Sequence, residues 1–249
     1  MPLVGTNVEM VGARAKVTGT VGYAANLEFP GQLHAKALRS PYAHAKLIGI
    51  DVRGAVALPG VRAVITRDDL GGLNPCFGTA VGDQPVVAID KVRYAGDIVA
   101  AVAAETREAA EEAVALIEAR YVELPAVTDV LEAAKPGAPI IHERHVDPQA
   151  GGNIHGVYHA ASGDLEQGFR EADQIIENVY TLPPIQHGHI EPHAVTAYWD
   201  ATGKLVVHSP CQTPSPLQEQ LAKLFKLPLN RVRVVVPPVG GGYGGKNHA

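Results

Sequence analysis

Short apolar and β-branched runs separated by turn residues dominate the first half of the chain. Runs of this kind, bounded by Gly, Pro and Ser, predict strands. One helical turn is predicted at residues 55–58, where Pro59 and Gly60 end it. The predicted strands cover residues 17–22, 33–38, 46–52, 61–66 and 86–89.

The clearest unit in this half is a strand followed by a helix and a second strand. Residues 98–102 form a continuous apolar run that is typical of a buried strand, and Thr106 is placed to cap a helix. The buried face of that helix is predicted from three residues at helical spacing, namely Ala110, Val114 and Ile117. We therefore predict a βαβ crossover whose second strand starts at Tyr121. It completes an α/β domain over residues 16–125, after a lead-in segment of residues 1–15.

A second domain is predicted over residues 161–249, after a linker of residues 126–160 that is rich in Pro, Gly and His. Its predicted elements are a helix at 164–172, a strand at 174–180, an extended segment at 187–199 and a strand at 205–208.

The end of this domain carries a well-marked helix. Ser215 and Gln218 predict a capping box around Pro216. The predicted buried stripe consists of Leu217, Leu221 and Leu224. With a strand at residues 232–236, this helix completes a second predicted βαβ unit. The overall prediction is a mixed α/β fold.

A glycine loop follows the last strand. Five glycines surround Tyr243 between Val239 and Lys246, and glycine permits positive φ angles and close approach of a ligand. Because α/β sheets bind ligands beyond the carboxyl ends of their strands, we predict that this loop anchors a cofactor. A simple turn linking two strands is the alternative.

Two phosphate-binding motifs fit this loop only in part. Gly240, Gly242 and Gly245 match the dinucleotide fingerprint, and Lys246 extends a partial P-loop. A P-loop needs Ser or Thr after the lysine, where this chain has Asn247. Both motifs also need a helix directly downstream, so neither is predicted.

Composition narrows the class of protein. The chain has 249 residues, 46% of them hydrophobic and 19% charged, as in a soluble globular protein of one or two domains. A net charge of −5 argues against nucleic acid as a partner. No apolar stretch is long enough for a membrane span, and the first residues lack the pattern of a signal peptide. We therefore expect a cytoplasmic protein.

The cysteine content excludes several kinds of site. Only Cys76 and Cys211 are present, which is too few for an iron–sulfur cluster or a disulfide framework. If the protein transfers electrons, we expect the other carriers on separate chains.

One extended segment concentrates polar side chains. His187, His189, Glu191 and His193 alternate, so on a strand they would project from one face and could ligate a metal. A metallo-hydrolase is therefore a hypothesis of a different class, although hydrogen-bonded histidines explain the same pattern. Glu191 is predicted to be buried and paired rather than catalytic.

Two glutamines lie beside the predicted elements of the second domain. Gln186 precedes the histidine-rich segment and Gln212 precedes the capped helix. Each amide offers donors and acceptors suited to an oxo group or a heteroaromatic ring.

Eight motifs together resemble one family. In chain order they are Lys16–Gly19, Pro30-Gly31, Leu38–Ala45, Pro59–Val61, Gly96-Asp97 with Ala101–Thr106, Tyr121–Pro125, His187–Pro192 and Gly240–Lys246. The same order occurs in the molybdopterin-binding subunit of molybdenum hydroxylases, the relatives of xanthine dehydrogenase and aldehyde oxidase. The resemblance covers nearly the whole chain.

The resemblance implies a fold and a reaction. Residues up to about 125 would form an α/β hammerhead domain, and the rest would begin the first molybdopterin-binding domain. The reaction would be hydroxylation at a carbon of an aldehyde or N-heteroaromatic substrate, with oxygen drawn from water. Electrons would pass to [2Fe–2S] and FAD on iron–sulfur and flavin partner subunits.

The resemblance also implies the site residues. Gly241, Gly242, Tyr243 and Gly244 would lie against the molybdenum cofactor, flanked by Gly240 and Gly245. Gln186 is the candidate for the glutamine that approaches the oxygen ligand of the metal. No residue is predicted to ligate the metal directly.

Three departures from the family pattern matter. Tyr243 replaces a phenylalanine, and Asn247 stands where purine-oxidising members tend to carry Glu. The general-base glutamate of the family lies far downstream, so no catalytic base is assigned here. We therefore expect this chain to be one part of a catalytic subunit, completed by the remaining half. A non-catalytic binding or assembly module is the alternative.

Overall fold

A computed structural model describes residues 4–71, 73, 75–78, 81–143 and 152–247. Residues 1–3 of the predicted lead-in, residues 144–151 of the predicted linker and the last two residues lie outside the described residues. Within the described part, no helix is long and apolar enough to cross a membrane. The prediction of a mixed α/β fold is confirmed.

The first half consists mainly of antiparallel strands with short helices. Its helices are α1 (Ala13–Val17), α2 (Arg53–Ala57), α3 (Arg107–Ala115) and α4 (Val130–Ala133). Its strands are β1 (His34–Arg39), β2 (Ala45–Asp51), β3 (Val61–Ile65), β4 (Cys76–Phe77), β5 (Gln84–Pro85), β6 (Lys91–Val92), β7 (Ile98–Ala104) and β8 (Glu118–Glu123).

Strand β7 is the centre of this half because both of its faces are buried. It lies between β1 and β3, while β2 lies between β6 and β8 in a second antiparallel sheet. Val99 packs with Ala45 and Leu47 on one face, and Val102 packs with Ala113 of α3 on the other. Burial on both faces explains the continuous apolar run in the sequence.

The predicted βαβ crossover in this half is wrong, although its strand, helix and second strand all exist. β8 pairs antiparallel with β2, with Leu47 opposite Tyr121, and belongs to a different sheet from β7. Both edges of β7 are already paired with β1 and β3, so no edge remains for β8.

Three predicted strands are also wrong. Of residues 17–22, Val17 is the last residue of α1 and the rest follow it, where the Thr18 hydroxyl donates to the carbonyl of Arg14 (2.8 Å) and Gly19 takes a φ of 69°. Residues 86–89 lie between β5 and β6, and residues 174–180 pair with no described strand. A β-strand forms only where it can hydrogen-bond to a partner strand, which is often distant in sequence, and the local residue pattern does not identify that partner.

Thr106 caps α3 as predicted, because its hydroxyl oxygen accepts from the backbone N–H of Ala109 (3.1 Å). We expect Thr106→Ala to lower the free energy of unfolding by about 1 kcal/mol in urea denaturation, since one helix N–H loses its acceptor. Thr128→Ala is the control, because Thr128 is exposed and lies outside the helices and strands. Equal stability of the two variants would contradict a capping contribution.

The second half contains a small mixed sheet in the order β11, β10, β9. Its elements are α5 (Leu165–Glu171), β9 (Thr196–Trp199), β10 (Leu205–His208), α6 (Pro214–Phe225) and β11 (Val232–Val235). β10 and β11 are parallel and joined through α6, so the second predicted βαβ unit is confirmed. The helix predicted at 164–172 is confirmed as α5, with Asp164 as its cap.

The predicted capping box of α6 is wrong. The helix begins at Pro214 after Thr213, and the Gln218 amide donates instead to the carbonyl of Val232 (2.7 Å). Leu217 is buried as predicted, whereas Leu221 and Leu224 are half-buried.

The amino-terminal segment contacts the second sheet. The ring of Phe29 lies 5.1 Å from that of Tyr198 and 5.5 Å from that of His208, between centroids. The predicted linker also makes specific contacts: the guanidinium of Arg93 donates to the carbonyl of Ile141 (3.1 Å), and the Asn153 amide donates to that of Pro139 (2.9 Å). The predicted domain boundaries themselves stay predictions.

Candidate functional site

The glycine loop, residues 240–246, follows β11 and two prolines and has an unusual backbone. Gly241, Tyr243 and Gly244 take φ angles of 99°, 53° and 91°, whereas Gly242 between them does not have a positive φ. Tyr243 is a non-glycine residue in the left-handed region, which costs conformational energy. A change of handedness from Gly241 to Gly242 and again to Tyr243 is the backbone pattern of an anion-binding nest.

Close contacts explain why the loop needs glycine. A Cβ at Gly240 would lie 2.6 Å from the Cβ of Glu191, and a Cβ at Gly242 would lie 2.5 Å from the Oε1 of Gln212. A Cβ at Gly245 would lie 3.0 Å from the ring of His187. Two segments, residues 187–191 and Gln212, therefore occupy the space that side chains on the loop would need.

Gln212 accepts two hydrogen bonds from the far end of the loop. Its Oε1 accepts from the backbone N–H groups of Gly244 (3.0 Å) and Lys246 (3.3 Å). The N–H of Gly245 donates to the carbonyl of Gly242 (2.8 Å).

Three adjacent donors remain. Among the described residues, no acceptor pairs with the N–H groups of Gly241, Gly242 and Tyr243. The arrangement offers a row of backbone donors to an anionic or oxo ligand.

Glu191 and Lys246 form a buried ion pair beside the loop. Their side chains are 6% and 1% exposed, and Lys246 Nζ lies 2.7 Å from Glu191 Oε2. The same Oε2 accepts from the backbone N–H of Gly240 (2.7 Å). The prediction that Glu191 is buried and paired is confirmed.

The ion pair sets the charge of the carboxyl. Burial alone raises the pKa of Glu191, but hydrogen bonds from Lys246 and Gly240 outweigh it and hold that pKa below its usual value. A lowered pKa means that the pair stabilises the fold at neutral pH and loses this contribution as the pH falls through that pKa.

The histidines do not share one strand face as predicted. Residues 187–193 lie before β9, and Gly188 takes a φ of 64°, which breaks the alternation. His189 Nδ1 lies 2.7 Å from the carbonyl oxygen of Glu191, and its ring meets that of His193 edge-on at 5.1 Å between centroids. Burial, with the nearby charge of Lys246, lowers the pKa of His193.

No metal centre emerges from these residues. Within the described ranges, no three His, Cys, Asp or Glu side chains are grouped so that they could hold a metal ion. The geometry therefore offers no support for the metallo-hydrolase hypothesis.

The two glutamines differ in position. Gln186 is exposed, and its side chain makes no hydrogen bond within the described part of the chain. Gln212 is the amide that the fold brings to the loop, 32 residues before Gly244.

A contact from the amino-terminal segment was missed by sequence reasoning. A Cβ at Gly240 would lie 3.3 Å from the ring of Tyr23. No local signal could have indicated it, because the partners are more than 160 residues apart in the chain.

Two known families match most of the chain. Residues 18–125 match the aldehyde oxidase and xanthine dehydrogenase a/b hammerhead domain, and residues 146–249 match the molybdopterin cofactor-binding domain.

Curated relatives and solved structures agree with these matches. The chain is 39% identical to one of the probable xanthine dehydrogenase subunits of Bacillus subtilis, covering 94% of this chain and 30% of the relative. It is 35% identical to the nicotinate dehydrogenase large molybdopterin subunit of Eubacterium barkeri, covering 98% of this chain and 56% of that protein. The fold matches quinoline 2-oxidoreductase from Pseudomonas putida 86 with a TM-score of 0.85 and 32% identity, over 97% of this chain and 31% of that one.

Proposed function

The chain belongs to the molybdenum hydroxylase family, and we propose from this premise that its glycine loop holds part of the molybdopterin cofactor of an oxidoreductase. The observation that carries the proposal is the row of N–H groups at Gly241, Gly242 and Tyr243, which have no acceptor among the described residues. The other backbone N–H groups of the loop, those of Gly240, Gly244, Gly245 and Lys246, already have acceptors.

The loop fits a ligand rich in oxygen atoms. Backbone N–H groups in a nest favour anionic oxygens. This side of the site would be formed by Gly240, Gly241, Gly242, Tyr243, Gly244 and Gly245. Gln212 would hold the loop in place by accepting a hydrogen bond from the backbone N–H of Gly244. When bound, the molybdenum cofactor would supply the electron acceptor for hydroxylation of a substrate carbon by oxygen from water.

No described residue suits the role of general base. Glu191 is a carboxylate that contacts the loop, but it is buried, its Oε2 accepts from Lys246 and Gly240, and its pKa is lowered. A base must reach the proton that it removes. The base is therefore proposed to lie in the part of the subunit that this chain does not contain.

Exposed apolar side chains in the second half support assembly with another polypeptide segment. The strap, which we define as residues 173–195, contains no helix or strand and is exposed along most of its length. Its exposed apolar side chains are Ile175, Ile176, Val179, Tyr180, Leu182, Ile185, Ile190 and Val195. An apolar surface of this extent is typical of an interface. We propose that the rest of the molybdopterin subunit covers it.

Electron transfer is proposed to use further chains. With two cysteines this chain cannot hold an iron–sulfur cluster, so iron–sulfur and flavin subunits are the proposed acceptors. The proposed substrate is an aldehyde or N-heteroaromatic small molecule. Asn247 in place of Glu disfavours a purine.

Native purification with elemental analysis tests the proposal. The chain would be tagged at its first residue and recovered from its own host, grown with molybdate. We expect molybdenum and pterin, a chain matching the remaining part of the large subunit, and iron with flavin. Absence of molybdenum, from cells whose other molybdoenzymes are loaded, would contradict the proposed function.

A further inference from the structure

One carboxylate oxygen holds both ends of the glycine loop. Glu191 Oε2 accepts from the backbone N–H of Gly240 at the start of the loop and from the Lys246 ammonium at its end, each at 2.7 Å. The backbone of Glu191 adds a third bond, because its N–H donates to the carbonyl of Gly240 (3.2 Å). The two ends of the loop are therefore joined through a single oxygen atom, Glu191 Oε2.

Burial makes this closure hard to open. The side chains of Lys246 and Glu191 are 1% and 6% exposed, so neither charge can be solvated in place. Among the described residues, Glu191 is the acceptor that Nζ reaches. A buried charge that loses its partner is strongly unfavourable. Any movement that separates Lys246, at the end of the loop, from Glu191, in the strap, is therefore costly.

A third segment also lies against the start of the loop. The ring of Tyr23, in the amino-terminal segment, lies against Gly240, where a Cβ would come within 3.3 Å of it. Neither Glu191 nor Lys246 needs to touch a ligand at the free N–H groups of Gly241 to Tyr243. Their effect on such a ligand would act through the loop backbone.

We propose that Glu191 and Lys246 are the positioning residues of the glycine loop, and that their ion pair keeps the N–H groups of Gly241, Gly242 and Tyr243 preorganised for the cofactor. This inference rests on the proposed function. Preorganised donors bind more tightly because the loop does not have to be ordered when the ligand arrives.

Three variants of the native assembly distinguish a role of the ion pair in positioning the glycine loop from a role in neutralising a buried charge. Glu191→Gln keeps the shape but leaves the Lys246 charge unpaired. The double variant Glu191→Gln with Lys246→Met removes both charges from the interior. Glu111→Gln is the control, since it breaks the half-exposed ion pair with Lys36 (2.8 Å), far along the chain from the loop.

We expect the double variant to recover most of the thermal stability that Glu191→Gln loses, yet to release molybdenum about ten-fold faster than the wild type during dialysis. A ten-fold change corresponds to losing one charge-assisted hydrogen bond. Glu111→Gln should retain molybdenum normally. Normal retention in the double variant would show that the pair only balances charge, and would overturn the inference.

Hydrogen exchange on the cofactor-free protein tests the same residues independently. We expect amides of residues 240–246 to exchange about ten-fold faster in the double variant, because the far end of the loop is released. Unchanged exchange would overturn the positioning role. If the wild-type assembly contains no molybdenum, the proposed function fails, and this exchange result alone decides the inference.

Discussion

Gly240→Ala is expected to lower the molybdenum content of the purified assembly about ten-fold or more. The new methyl group would lie 2.6 Å from the Cβ of Glu191 and 3.3 Å from the ring of Tyr23. Glu191 cannot retreat, because its carboxylate is bound to Lys246 in a buried site. Forcing extra volume into such a packed position costs about 1–3 kcal/mol, and the loop backbone is the part free to shift.

Molybdenum per chain, measured by mass spectrometry, checks this expectation. Gly168→Ala is the matched control, because Gly168 lies in α5 and a Cβ there would meet nothing within 4 Å. That control should keep its molybdenum, and its helix should become more stable by about 0.5–1 kcal/mol. A full complement of molybdenum in Gly240→Ala would mean that the loop does not hold the cofactor in the proposed way.

Serine at three exposed positions of the strap is expected to abolish recovery of the partner segment without unfolding this chain. Val179, Leu182 and Ile185 are 90%, 91% and 81% exposed. Exposed substitutions change the stability of the isolated chain by about 0.5 kcal/mol or less. Burial of each side chain on assembly would contribute about 1.5–3 kcal/mol, so three losses weaken association more than a thousand-fold.

Co-purification of the tagged triple variant with untagged partner chains provides the measurement. A control triple variant carries serine at Val56, Val130 and Leu131, which are exposed apolar residues of α2 and α4. The control should assemble as the wild type does. Equal recovery of partners by both variants would place the interface elsewhere.

Elements with a strong local pattern were predictable from the sequence. The apolar run of β7, the capped helix α3 and the unit β10–α6–β11 were recognised because helical spacing, a Thr cap and β-branched runs act over a few residues. The glycine loop was recognised for the same reason, since consecutive glycines signal an unusual backbone wherever they fall.

Pairings between distant segments were decided by the tertiary structure. The antiparallel order around β7 and the placement of β8 in another sheet depend on which strand edges are free, and periodicity does not encode that choice. The same holds for the site: Glu191 meets Lys246 across 55 positions and Gln212 meets Gly244 across 32.

The sequence by itself therefore determined the family resemblance, the mixed α/β fold and the loop that is proposed to bind the cofactor. Only the tertiary structure decided which loop donors remain free and which carboxylate closes the loop. Local sequence sets backbone preferences, whereas hydrogen-bond partners and buried charge pairs arise when segments far apart in the chain are packed together.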